Sequence, residues 1–301
     1  MSTSKLALAI LLVLPAARAA GDTPILLDHA ANPTARIAIS NVSGEVEIVG
    51  WDRPQVEVTG QLGDGAQPLA ITGDAASLSI KVQAQRKSGW FNWGSNDTMG
   101  ATVLHVRVPR AATLDVNVIS AAVGIDGTAG GSLTIHTVSG KVRLNATTPL
   151  LKVEAVSGGI ELAGHADQAN LQTVSGDILA PSLGGNAELQ TVSGLIHVDG
   201  GPWRQFTLST VSGDVQVAGG VAAGGSMNID SMSGDVQVTL PAASNASLHA
   251  STFSGSLRSD FGHVNQSQHG PGSSLDATLG NGDGKLELET FSGDLRIRRQ
   301  D

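Results

Sequence analysis

The chain has 301 residues, a formal net charge of −9, 38 glycines, no cysteine and no tyrosine. Without cysteine there are no disulfide staples, so backbone ladders and core burial must hold the fold, and the acidic balance argues against a binder of nucleic acid or of an anionic membrane surface. With aromatic residues at only 3%, a core built around large rings is disfavoured and thin, repetitive β-structure is favoured.

The N-terminus reads as a secretory signal peptide, residues 1–19. Met1 to Lys5 carries one positive charge, Leu6 to Leu14 is an apolar run, and Pro15 leads to the small-x-small motif Ala17-Arg18-Ala19. A membrane-spanning helix needs about 20 apolar residues, more than this run supplies. No cysteine follows it, which excludes lipid attachment through a lipoprotein cysteine. Cleavage removes Lys5 and Arg18 and no acid, so 16 basic residues face 27 acidic ones, a charge of −11. No later stretch is long and apolar enough for a transmembrane helix. The expected product is exported, to the periplasm first, with the cell surface or secretion as alternatives.

Residues 20–110 hold strand-like runs at Ala35–Ile39, Val46–Val49, Val56–Thr59, Ser77–Val82 and Thr102–Val108, without a long period. They predict an N-terminal β layer that begins or caps the repetitive region downstream. Within this region, Arg86 to Asn96 forms a Gly/Ser/Asn loop carrying Trp90, Phe91 and Trp93. Exposed, these rings would stack on sugars or anchor a protein partner. Buried, they would plug an open end of the fold. Trp51 and Trp203 read as local packing residues.

Residues 111–301 repeat. A serine recurs at Ser120, Ser139, Ser157, Ser175, Ser193, Ser212, Ser233, Ser254 and Ser292, at intervals of 19, 18, 18, 18, 19, 21, 21 and 38. The last interval reads as two periods with one rung degraded by a loop insertion at 259–284. All but Ser120 are followed by Gly, and Ser43-Gly44 carries the same motif upstream. The fourth residue before each serine is apolar, as in Ile135, Val153 and Leu171, and the third and fifth after it mostly are, as in Val142 and Leu144. Polar residues alternate with them, which is the period of a strand with one buried face. Stacked, these rungs would share a narrow core that no single rung could bury alone. The predicted fold is all-β, a β-solenoid (β-helix) of 18–21-residue rungs. Gly after Ser fits a sharp bend. At Thr-Val-Ser-Gly the alternation breaks, and which of Thr and Val points inward stays open. The chain ends on the strand Leu295–Arg299, which leaves an edge able to stack on another chain.

The acids after Ser-Gly, Asp177, Asp214, Asp235 and Asp294, form an interrupted column. Ca²⁺ needs more oxygen ligands than a neighbouring pair supplies, so turn chemistry is the expectation and no metal or cofactor is assigned. Pairs such as His136 with Glu154, or Arg143 with Glu161, read as cross-strand pairs rather than acid–base machinery. No nucleophile elbow or metal-ligand histidine spacing occurs, and no catalytic residue is assigned.

The repeated Thr-Val-Ser-Gly-Asp-Val/Ile, the N-terminal Ile-Ser-Asn-Val-Ser-Gly-Glu-Val-Glu-Ile, the Val-Arg-Val-Pro before the rungs and the final Phe-Ser-Gly-Asp-Leu-Arg-Ile resemble the putative-adhesin repeat family. That bacterial domain of unknown function is also similar to head domains of some autotransporter adhesins. The resemblance covers about residues 35–299 and implies an exported β-helical fold without established catalytic residues. The functional expectation is a non-catalytic, adhesin-like or scaffold module that binds an envelope protein or a glycan. The alternatives are a self-associating structural element and a polysaccharide-active β-helix enzyme.

Overall fold

The computed structural model of the chain describes residues 23–84, 99–267 and 271–300. The signal segment 1–19 and the aromatic loop with Trp90, Phe91 and Trp93 lie outside the described residues. Among the described residues there is no helix, and 21 strands join one hydrogen-bonded sheet.

The alternation in sequence becomes alternation in burial. In the strand Leu133–Ser139 the residues Leu133, Ile135 and Thr137 are buried, while Thr134 and His136 face outward. Successive repeats pair in parallel and place like residues side by side. Ile135 lies beside Val153, Val153 beside Leu171, Leu171 beside Leu189, and Leu189 beside Leu208. After the serine a second ladder runs through Val142, Ile160, Ile178, Ile196, Val215 and Val236. Every residue in both ladders is at most 1% exposed. The two ladders enclose one narrow aliphatic core, and each repeat buries its apolar face only against its neighbours.

At the C-terminal end the spatial order departs from the order in sequence. Gly284–Ser292 pairs in parallel with Val215–Ser233 on one side and with Ala246–Ser254 on the other. Likewise Leu295–Arg299 lies between Val236–Leu240 and Leu257–Ser259. The last repeat in the chain is therefore inserted between the two that precede it. Two expectations change. The 38-residue interval is not a pair of consecutive periods with a degraded rung. Nor is the terminal strand an open edge, because it is paired on both sides.

Antiparallel strands finish both ends of the parallel stack. At the N-terminal end Gln55–Leu62 pairs antiparallel with Thr102–Pro109 and with Thr23–Ala30, and Ile71–Asp74 pairs antiparallel with Ser77–Lys81. At the other end the segment read as a loop insertion supplies Ser273–Leu279, antiparallel to Ala246–Ser254. Phe261 is buried beside it, under the guanidinium of Arg299 at 5.0 Å from the ring centroid.

Candidate functional site

Each repeat turns at Val-Ser-Gly, and the local structure explains the glycine and the acid that follows it. The glycine is required by a close backbone approach. A Cβ at Gly176 would lie 2.2 Å from the carbonyl oxygen of Gly158, and one at Gly194 the same distance from that of Gly176. Only Gly194 of these two also has a positive φ, 146°, so the crowding, more than the bend, is the constant reason for Gly. The acid two residues after serine accepts a hydrogen bond from the backbone of the next repeat. Asp177 accepts from the Leu195 N–H at 2.8 Å, Asp214 from Asp235 at 3.1 Å, Asp235 from Asp294 at 3.1 Å, and Asp294 from Ser256 at 3.0 Å. The bond from the Ser256 backbone is the largest cause holding the Asp294 carboxyl below its ordinary range. The column is a ladder of backbone caps.

The threonine and valine settle in an unexpected sense. Thr137, Thr173, Thr191 and Thr210 are buried, whereas Val138, Val174, Val192 and Val211 are 44–49% exposed. Phase decides it: Leu133, Ile135 and Thr137 occupy the same side of one strand, so the threonine must point inward once the aliphatic positions do. The polarity is thereby inverted. The Thr137, Thr191, Thr210, Ser231 and Thr290 hydroxyls are buried without a hydrogen-bond partner, and those of Thr173 and Thr252 reach a glycine carbonyl only at 3.4 Å; an unpaired buried hydroxyl costs about 1–3 kcal/mol. Exchanging the two residue types would bury the apolar side chain and hydrate the hydroxyl. The repeat does the opposite time after time.

The exposed residues line up down the stack. Ile119, Val138, Val156, Val174, Val192 and Val211 come first, followed in spatial order by Met232, Phe291 and Phe253, each 44–59% exposed. Two residues earlier in each strand a parallel polar column runs through Asn117, His136, Glu154, Gln172, Gln190, Ser209, Asp230 and Glu289. Between the columns lies a groove with one apolar and one polar wall. Its C-terminal stretch has a volume of about 830 Å³ and its N-terminal stretch about 510 Å³, meeting at Glu154 and Ala155.

The groove is not uniform along its length. In its N-terminal half Glu154 is ion-paired with Lys152 at 2.6 Å and lies 2.9 Å from the ring Nδ1 of His136. Its carboxyl is held below the ordinary range, chiefly by the hydrogen bond from Lys152, the opposite of what a general acid needs at neutral pH. Arg143 and Glu161, the other pair weighed for acid–base chemistry, form a cross-strand contact at 3.3 Å that Lys141 joins. In the C-terminal half Asp230 and Glu289 are direct neighbours across a parallel pairing, and neither has an ion-pair partner among the described residues. Beside them Phe253 and Phe291 stack face to face, centroids 4.9 Å apart and planes within 8°. Phe291 reaches this position only because the last repeat inserts between its predecessors.

Of the residues singled out from sequence, Trp51 and Trp203 are packed locally. Trp51 donates its indole N–H to the Gln55 carbonyl at 2.8 Å, and Trp203 is fully buried and donates to the Leu183 carbonyl at 2.8 Å. Among the described residues no group of three or more His, Asp or Glu side chains is placed to hold a metal. The groove itself is missed by sequence reading, because its members stand 18 or more residues apart and each looks like an isolated corner residue.

The family model described as Toastrack DUF4097 matches residues 34–298. A solved structure of a putative adhesin from Parabacteroides merdae is similar over 92% of this chain and 96% of that one, at 9% identity and a TM-score of 0.52. A second, a putative adhesin from Parabacteroides distasonis, covers 91% and 97% at 13% identity and a TM-score of 0.49. At such identities the first likeness shows a shared fold and nothing more. Among curated proteins none matches the chain.

Proposed function

The chain belongs to the Toastrack DUF4097 family, and we propose that it is a non-catalytic binding module whose ligand-contacting surface is the apolar groove at the Val-Ser-Gly corner. The parallel offsets of 18 to 21 residues between paired serines such as Ser175 and Ser193 or Ser212 and Ser233 support a β-solenoid with one rung per repeat. The strands of residues 20–110 act as its N-terminal cap. With a leader at residues 1–19, the module is exported and works in the envelope, as an adhesin-like or scaffold protein engaging an envelope protein or a glycan.

One observation carries the proposal: the inverted polarity of threonine and valine. Folding alone favours the valine inside and the hydroxyl in water, by the transfer of apolar surface and by the desolvation of an unpaired hydroxyl. A chain that repeats the reverse along a whole face keeps an apolar strip exposed at a cost in stability, and contiguous exposed apolar strips mark interaction sites. The test compares the intact chain with a variant carrying Met232→Thr, Phe253→Thr and Phe291→Thr, each immobilised and exposed to solubilised envelope material. Thr preserves strand propensity, so the variant should stay folded and melt lower only by the loss of the Phe253–Phe291 stack. Retention by the intact chain and its loss in the variant is the expected result. Equal retention by both, or none by either, would overturn the assignment of the groove.

A further inference from the structure

We propose that the C-terminal half of the groove receives a cationic amphipathic α-helix of another polypeptide, its apolar stripe seated on Met232, Phe291 and Phe253 and its basic flank over Asp230 and Glu289. The inference rests on the groove being the binding surface and names the occupant.

Spacing favours a helix. Neighbouring tiers of the stack are about 4.8 Å apart. A helix presents one apolar position per turn every 5.4 Å, so two turns depart from two tiers by only about 1 Å. Same-face residues of an extended peptide are about 6.6 Å apart and lose register after a single step. The two walls arise from residues two apart on one strand, also about 6.6 Å between their backbones. A helix 10–12 Å across therefore rests on the groove, sends one row of side chains into it and leaves its flank above the polar wall. From Val174 to Phe253 the column spans six tiers, about 24 Å, which matches a helix of roughly 16 residues.

Charge favours a basic flank. Asp230 and Glu289 stand side by side, a like-charge pairing that is destabilising when unneutralised. Their side of the groove has no ion-paired cation among the described residues, in contrast to Glu154, which Lys152 already neutralises. Lys or Arg on the helix would relieve the repulsion and lie near the faces of the stacked Phe253 and Phe291 rings, where cations are attracted. A second copy of this chain fits poorly. Two identical acidic walls would oppose each other across such an interface.

The experiment uses the full chain and a fluorescent 18-residue Leu/Lys peptide with its leucines in one helical stripe. Controls are a scrambled peptide of identical composition and the Leu/Glu counterpart, all read by anisotropy at low and high salt. The striped Leu/Lys peptide should bind, Phe291→Thr should weaken it roughly tenfold, and Asp230→Asn with Glu289→Gln should weaken it about threefold at low salt and not at 0.5 M NaCl, a concentration chosen to screen surface charge. Equal binding of the scrambled peptide, or binding untouched by Phe291→Thr, overturns the proposal. So does binding of chitooligosaccharides or phosphatidylglycerol vesicles at the same residues in place of the peptide. If no peptide binds while envelope retention still depends on Phe253 and Phe291, the helix is refuted and the binding groove stands; if both fail, both are refuted.

Discussion

Every repeat bends twice, and the two bends follow different rules. At Val-Ser-Gly the chain keeps strict register: Ser157 lies beside Ser139, Ser193 beside Ser175, Ser233 beside Ser212, Ser292 beside Ser233. At the opposite bend the register slips. Ala180 pairs with Val198, Leu183 with Gly200, Gly185 with Trp203 and Asn186 with Gln205, so the offset runs 18, 17, 18 and 19. In the next repeat the same bend takes the offset from 19 between Gly200 and Gly219 to 21 between Gln205 and Ser226. Between Ser120 and Ser233 the variation in repeat length is absorbed there, whereas at the upstream Ser43 corner the paired chain jumps from Lys81 beside Ser40 to Thr102 beside Gly44. The regular bend carries the continuous exposed column, and the irregular one accommodates insertions. A surface meant to meet a linear partner needs constant spacing, and constancy on one side is possible because the other side can give.

The contrast can be broken most forcefully at Trp203. This ring sits at the register slip, fully buried against Phe206 with centroids 4.6 Å apart. Trp203→Ala should cost about 3–5 kcal/mol in denaturant unfolding, as expected for deleting a buried ring and leaving a cavity. A cost below about 1 kcal/mol would mean the irregular bend is a loop outside the cooperative core.

A matched pair of glycines sharpens it next. Gly176→Ala at the regular bend drives a methyl into the Gly158 carbonyl and should cost about 3 kcal/mol, whereas Gly184→Ala at the irregular bend meets nothing nearer than His165 Cε1 at 3.8 Å and should stay within about 0.5 kcal/mol of the parent. Equal melting temperatures for the two variants would erase the distinction between the bends.

The smallest effect is electrostatic. The Asp294 carboxyl is depressed in the folded chain by the Ser256 N–H it accepts. Its contribution is therefore present above the unfolded-state pKa and disappears as the pH falls through the lower folded value. Asp294→Asn should lower the melting temperature slightly at neutral pH and leave it almost unchanged at the acid end, so that the acid limb of the profile flattens. An unaltered acid limb would count against the capping ladder as a pH-dependent element of the regular bend.

The strands and the aliphatic core are legible in the sequence because period-two alternation and an 18-residue recurrence are both local patterns. Even the inward threonine is within reach of such a pattern. Leu133, Ile135 and Thr137 share one phase, although hydropathy alone favours Val138 for the interior. The inserted last repeat is not legible. Near-identical repeats can pair with any neighbour, and nothing in Gly284–Ser292 states that it belongs between Val215–Ser233 and Ala246–Ser254. Hence the juxtaposition of Met232, Phe291 and Phe253 is hidden too. A compact cluster such as Trp90, Phe91 and Trp93 stands out along a linear chain, while a groove whose members are scattered at 18-residue steps does not.

The insertion of the last repeat bears on how the chain is made. As the polypeptide emerges, the strand Ala246–Ser254 finds its lasting parallel partner only when residues 284–292 have followed it, 30 and more positions later. Until then the neighbouring strand Val215–Ser233 lacks its outer partner, and the place between them must stay vacant or be filled by the wrong repeat. Parallel pairings of high sequence separation form late and expose their edges while they wait. The repeat Gly284–Arg299 thus acts as a keystone: it joins the two strands that flank it and assembles the three largest apolar side chains of the groove in the same step.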